Sequence, residues 1–198
     1  VAYELFVHPE KAPAFWDMLI EVGTPYGMKP IGLGARDSLR TEAGLPLYGH
    51  ELAGPLNMLP NDAGFSSFVK VFKPFFVGRA PYLAHEAKRK MENARFRMNE
   101  KSVRVPKGAA NIEAGGDMDY IVDKRGRVIG RVLSCAVDID GYMTGQALIE
   151  MKYAEEGTPI GIVAAAKDAK AANNLKVGDR IPSIDGATVL SRFPSKKK

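Results

Sequence analysis

Cysteine is almost absent from this chain: Cys135 is the single one in 198 residues. A disulfide framework within the chain is therefore excluded, and the usage fits a reducing cytoplasm. Long hydrophobic runs are missing too. No apolar stretch approaches the roughly 20 residues needed to span a bilayer. The first residues alternate apolar and polar with no basic start, so no cleavable signal peptide is expected. Histidine is sparse, and His8, His50 and His85 are scattered singly without ligand spacing, so no metal site is expected. Neither GxGxxG nor a P-loop occurs, and there are no internal repeats.

What is present is a globular composition, 45% hydrophobic and 26% charged, enough for one substantial core or two small ones. The formal charge of +5 includes the tail Lys196, Lys197 and Lys198, which reads as a solvated terminus. No basic stripe interleaved with aromatics points to nucleic acid. A cytoplasmic protein with neither nucleic-acid nor membrane partners is the expectation. The chain opens on Val1–Val7, an alternating strand without a cap or leader, which suggests a piece of a longer protein.

Along the chain, Glu10–Val22 predicts an amphipathic helix, with Pro13 in its first turn, an apolar stripe of Phe15, Trp16, Leu19 and Ile20, and Gly23 as C′. A second helix is expected over Ala35–Ala43, closed by Gly44. Residues 45–64 read as loop and Gly64–Phe72 as a strand with Phe65, Val69 and Val71 inward. Pro81–Asn93 reads as a connecting helix with Leu83, Ala84, Ala87 and Met91 inward. From Arg95 the pattern turns to β. Arg95–Val105, Met118–Asp123, Arg127–Val137, Gln146–Tyr153 and Ile160–Ala166 are strand-like, a final segment runs to about Val177, and Asp123–Gly126 makes a hairpin turn. Short strands at regular spacing suggest a small Greek-key sandwich or barrel.

The run Ile31–Gly49, IGLGARDSLRTEAGLPLYG, is similar to the signature of the T-protein (aminomethyltransferase) family of the glycine cleavage system. Tyr3–Val7 (YELFV), Gly64–Arg79 (GFSSFVKVFKPFFVGR) and Asp123–Gly130 (DKRGRVIG) resemble further family segments, strongly to Arg79 and more loosely beyond. The resemblance implies an α+β chain. Residues 1–80 would be the remainder of a folate-binding α/β domain, 81–94 a connecting helix, and 95–198 a C-terminal Greek-key β domain. It also implies tetrahydrofolate as cofactor and aminomethyl transfer from a lipoyl-carrier-bound donor.

Residue by residue, Glu4 falls where the family's pterin-binding glutamate stands, and Arg36 where its folate-site arginine stands. A carboxylate suits the amino and ring N–H groups of a pterin, and an arginine fork suits a carboxylate. From local pattern alone, Glu4 is an exposed strand position, and Arg36 and Arg40 share a solvated helix face with Asp37 and Glu42. Within the resemblance Arg40 is a structural ion-pair former. Tyr48 either borders the pocket or packs the loop. Cys135 reads as an inert thiol in a strand.

The family's catalytic aspartate belongs to an N-terminal region with no counterpart here, so no catalytic residue is assigned, and an N-terminal half is an expected partner. Leu133–Glu150 (LSCAVDIDGYMTGQALIE) departs from the family's Thr-Ser-Gly, Ser-Pro and Ala-Leu-Ala stretch. Phe193 stands where the family has a tyrosine. These departures keep a folate-dependent S- or O-demethylase with a small-molecule donor as the alternative. A folate-binding module without activity would carry a Lys-Gly-Cys-Tyr motif, and Ser134-Cys135-Ala136 does not match it.

Overall fold

The computed structural model describes residues 3–102, 104–113, 116–165, 175–180 and 185–194. Backbone contacts divide the chain into two units, Val1–Arg36 and Asp37–Lys198.

In the first unit, a 3-10 turn at Pro9–Lys11 leads into helix α1, Ala12–Gly23, followed by a second 3-10 turn and by Gly27, whose φ of 80° reverses the chain. Pro13 sits in the first turn of α1, where its missing N–H costs no hydrogen bond. The expected stripe is only half sheltered. Phe15, Leu19 and Ile20 are partly buried, Trp16 is 54% exposed, and no described residue from 3 to 36 is fully buried. The strand expected at the start is not formed: residues 3–8 have no strand geometry and no pairing partner. A strand needs a neighbour to receive its backbone hydrogen bonds, and an alternating pattern supplies none.

Helix α2, Leu33–Glu42, comes next. It ends as its sequence dictates. Gly44 takes φ 73°, its N–H donates to the Thr41 carbonyl at 3.0 Å, and the Leu45 N–H donates to the Arg40 carbonyl at 2.8 Å. This is the paired-bond Schellman cap that a glycine permits.

The second unit is built on a closed antiparallel barrel. Its strands are β1 Met91–Met98, β2 Tyr120–Val122, β3 Val128–Val137, β4 Met143–Glu150, β5 Pro159–Val163 and β6 Asp185–Leu190, in the order β1-β4-β3-β2-β5-β6. Consecutive β2, β3 and β4 with β1 returning beside β4 make the expected Greek key. Phe96, Ile121, Ile129, Val132, Ile149, Ile162 and Val189 point inward and are at most 1% exposed. Phe96 claims the space opposite its register partner Gly145, where a Cβ would stand 2.5 Å from the phenyl Cζ.

Three expected elements are corrected. Gly64–Phe72 forms turns around a 3-10 segment at Ser66–Phe68, with Phe65 partly buried and Val71 39% exposed. The connecting helix is the shorter α3, Arg79–Glu86, and it buries Tyr82 rather than Leu83 or Ala84. β1 therefore starts at Met91, inside the range expected to be helical, because pairing with β4 from Met91↔Glu150 outweighs local helical spacing. A short helix α4, Ala110–Glu113, lies in the long β1–β2 connection. The expected final segment to Val177 falls largely outside the described residues. No helix among the described residues is long and apolar enough to cross a membrane.

Candidate functional site

The C-terminal end of α2 is fixed to the barrel by a buried ion pair. Arg40, 7% exposed, donates through Nη1 to Oε1 of the fully buried Glu51 at 2.7 Å and through Nε to Asp37 at 2.7 Å. The Ser134 hydroxyl donates to the same Glu51 oxygen, and Oε2 of Glu51 accepts the Leu47 N–H at 2.7 Å. Both oxygens of this carboxylate meet donors, three in all, which a buried charge requires. The role expected of Arg40, structural ion-pair former, is the one it has.

Ser134 reaches Glu51 because β3 carries a bulge. Val132 pairs with Ala147 and Ser134 with Gln146, so Leu133 is the extra residue. Val132 stays in the barrel interior and Cys135 packs against it, while Leu133 and Ser134 both meet the loop of residues 45–63. Leu133 packs with Met58 and Ala63, and Ser134 bonds Glu51. From β4, Gln146 donates to the Leu45 carbonyl at 3.0 Å and accepts from Asn93 at 2.7 Å. From beyond β6, Arg192 donates to the Gly44 carbonyl at 2.6 Å and to the Ala63 carbonyl at 2.6 Å. The second half of the signature is thus a loop sewn to one face of the barrel.

Burial pushes the Arg192 guanidinium down to about 10, with the positive charge of Arg95 adding to the effect. Arg95 is itself 7% exposed, its basicity lowered by burial, and its Nε and Nη1 have no hydrogen-bond partner among the described residues. Burial also drives the Cys135 thiol up to about 12, helped by the nearby Asp119 carboxylate. Such a thiol stays protonated at neutral pH and is a poor nucleophile.

The three residues expected at the folate side lie apart from this network. Glu4 and Arg36 belong to the first unit, Tyr48 to the second. All three are exposed, Tyr48 by 80%. Among the described residues none of their side chains makes a hydrogen bond or ion pair, so their full donor and acceptor capacity is open to a ligand. Tyr48 sits on the loop and does not pack it; its backbone bridges Leu52 just before the left-handed Gly49. An open carboxylate, an open guanidinium and an open phenol fit the pterin edge and carboxylates of a folate in chemistry.

Residues 1–73 match the GCVT N-terminal domain. The aminomethyltransferase of Alkaliphilus oremlandii is 37% identical over 179 residues, covering 85% of this chain and 43% of the relative. The aminomethyltransferase of Thermoanaerobacter pseudethanolicus is 38% identical over 172 residues, again 85% of this chain and 43% of the relative. By these matches the chain is similar to aminomethyltransferases that carry the GCVT domain. It spans less than half the length of the curated relatives it matches. A solved structure, glycine cleavage system aminomethyltransferase T from Bartonella henselae, superposes with a TM-score of 0.64 at 23% identity, covering 91% of this chain and 42% of that one. At that identity the match speaks for the fold.

In this chain, sequence reasoning missed Glu51, Ser134 and the Asp62–His85 pair. In that pair the imidazole Nε2 lies 2.8 Å from the carboxylate Oδ1. Glu51 stands two residues after the signature glycine Gly49, close enough to be noticed. Its partner Ser134 is 83 residues away, a pairing no local pattern signals. Phe193, in the place of the family tyrosine, packs its ring 5.5 Å from Phe65 and lies under the Arg192 guanidinium at 4.5 Å.

Proposed function

We infer that this chain supplies the folate-binding side and the C-terminal barrel of a tetrahydrofolate-dependent one-carbon transferase, an aminomethyltransferase of the glycine cleavage system. The observation that carries the reading is the 37% identity to aminomethyltransferases over 85% of the chain, running through the signature Ile31–Gly49. In this reading the chain acts in the cytoplasm. Residues 1–80 contribute to a folate-binding domain, the α3 region connects it, and the barrel from Met91 onward forms the second domain. The apolar surface left open between residues 3 and 36 is covered by an N-terminal half that also brings the catalytic carboxylate.

Tetrahydrofolate, when bound, supplies the N5 nitrogen that accepts the one-carbon unit. The Glu4 carboxylate accepts hydrogen bonds from the pterin amino and ring N–H groups and so orients the ring. Arg36 pairs with a carboxylate of the ligand or of the completed site, and Tyr48 borders the pocket. Catalysis in this scheme is mostly positioning, because holding N5 against the donor carbon removes much of the entropic barrier.

Calorimetry on the protein joined with its N-terminal half tests the folate side. Arg36→Ala is expected to weaken tetrahydrofolate binding by about tenfold or more, the worth of a charge-assisted pair; unchanged affinity overturns the assignment. The donor side needs its own assay. Lipoyl-bound aminomethyl, a methylsulfonium and a methoxyarene are offered in parallel with tetrahydrofolate as acceptor. Turnover of the aminomethyl donor supports the aminomethyltransferase. Turnover of a methyl donor alone supports the demethylase, the reading favoured by the divergent Leu133–Glu150 and by Phe193.

A further inference from the structure

At one end of the barrel, where the turn Asp123–Arg127 joins β2 to β3, a cleft of about 440 Å³ opens in the second unit. Four cationic residues line it: Lys124, Arg125, Arg127 and Arg180. Asp123 and Tyr153 complete most of the wall. The single carboxylate in the cleft is already occupied. Asp123 Oδ1 accepts the N–H groups of Arg125 at 2.8 Å and Arg127 at 3.0 Å, and Oδ2 accepts the Tyr153 hydroxyl at 3.0 Å. Arg127 is paired from outside with Glu150 at 2.5 Å, a carboxylate it shares with Lys152.

Lys124, Arg125 and Arg180 remain. None of them has a carboxylate partner among the described residues, and all three are exposed at the cleft. The main chain holds Arg180 beside the cleft, because its backbone is bridged to Arg127 and the Val128 N–H donates to the Asp179 carbonyl at 2.7 Å. Holding three like charges around one concavity raises the free energy of the empty protein. An anion in the middle relieves it, and low-dielectric walls focus the field there. Thr158 is a further lining residue of the cleft. The volume falls in the range of small-molecule pockets, roughly 300 to 1,000 Å³.

We propose that this cleft is a binding site for a small polyanion carrying two or more phosphate or carboxylate groups, held by Lys124, Arg125 and Arg180. It is separate from the folate side, since it contains neither Glu4, Arg36 nor Tyr48, and it stands whether or not the reading of the function holds.

Calorimetric titration of the whole chain at physiological salt tests it with three probes: inorganic pyrophosphate, citrate and inorganic phosphate. Saturable binding of pyrophosphate or citrate is expected, with the stronger of the two naming the anion chemistry and inorganic phosphate weaker than either. Lys124→Gln/Arg125→Gln/Arg180→Gln is expected to weaken that binding by about tenfold or more, while the control Lys70→Gln/Lys101→Gln on other surfaces leaves it unchanged. Arg125→Gln alone, a substitution of an exposed side chain that bonds no described residue, reads the same direction should the triple variant be unstable. No saturable binding at millimolar probe, or equal weakening by the control variant, overturns the proposal.

Discussion

Inside the barrel, Phe96, Ile121, Ile129 and Ile149 are sealed from solvent, whereas between residues 3 and 36 Phe6, Trp16, Tyr26 and Leu33 stand 93%, 54%, 89% and 83% exposed. Both regions have apolar residues at the spacing that local structure demands, yet only one has a core. A barrel closes on itself, so each strand's inward face meets the others and every edge finds a partner. A lone helix with flanking turns has one apolar stripe and nothing within its own unit to lay over it. Regular structure follows from local signals, and burial follows from how many layers the chain supplies. The folate-side candidates Glu4 and Arg36 fall in the region without a core, so in the proposed reading their site is finished by another surface.

Glu51→Ala is the hardest blow this contrast predicts. It strands the Arg40 guanidinium in the interior and should cost about 3 to 5 kcal/mol in urea unfolding of the second unit. A loss below about 1 kcal/mol would mean that Arg40 escapes to water. A smaller effect is expected at Asp138. Burial pushes its carboxyl up, but hydrogen bonds from the Tyr142 N–H and the Thr144 hydroxyl and the charge of Arg97 outweigh it, leaving it below the ordinary 3.8. The folded state therefore holds this proton less tightly than the unfolded chain. The stabilisation is present above the unfolded value and is lost as pH falls through the folded one.

Asp138→Asn should accordingly lower stability by about 1 kcal/mol at neutral pH and flatten the acid limb of a stability–pH curve. An unchanged acid limb would remove Asp138 from the account. The mildest change is predicted in the first unit. Trp16→Ala should change the barrel's unfolding free energy by no more than about 0.5 kcal/mol, and a loss of about 2 kcal/mol would show that α1 buries its stripe after all.

Much of the architecture was readable from the chain itself. Helix α1, the glycine cap at Gly44, the Asp123–Gly126 turn and strands β3 and β4 all sit within a residue or three of where spacing and turn chemistry predict them. The misreadings share a cause. Tyr3–His8 and Gly64–Phe72 have the alternation of strands without a partner to pair with, and Met91–Asn93 has helical spacing overridden by the ladder to β4. The candidate site was legible only in part. Glu4, Arg36 and Tyr48 came from a family signature rather than from their neighbours. Glu51 and the buried guanidiniums of Arg95 and Arg192 were passed over because ordinary surface charges look the same in sequence.

The sequence by itself determined the family resemblance, the end of α2 at Gly44 and the turn at Asp123–Gly126, because each of these depends on residues a few positions apart or on a continuous motif. Only the tertiary structure decided which apolar faces are buried, that the Leu133 bulge brings Ser134 onto Glu51, and that Lys124, Arg125 and Arg180 surround one cleft. Those outcomes rest on contacts between residues tens of positions apart. Their energy comes from desolvation and pairing in the closed barrel, which no local pattern encodes.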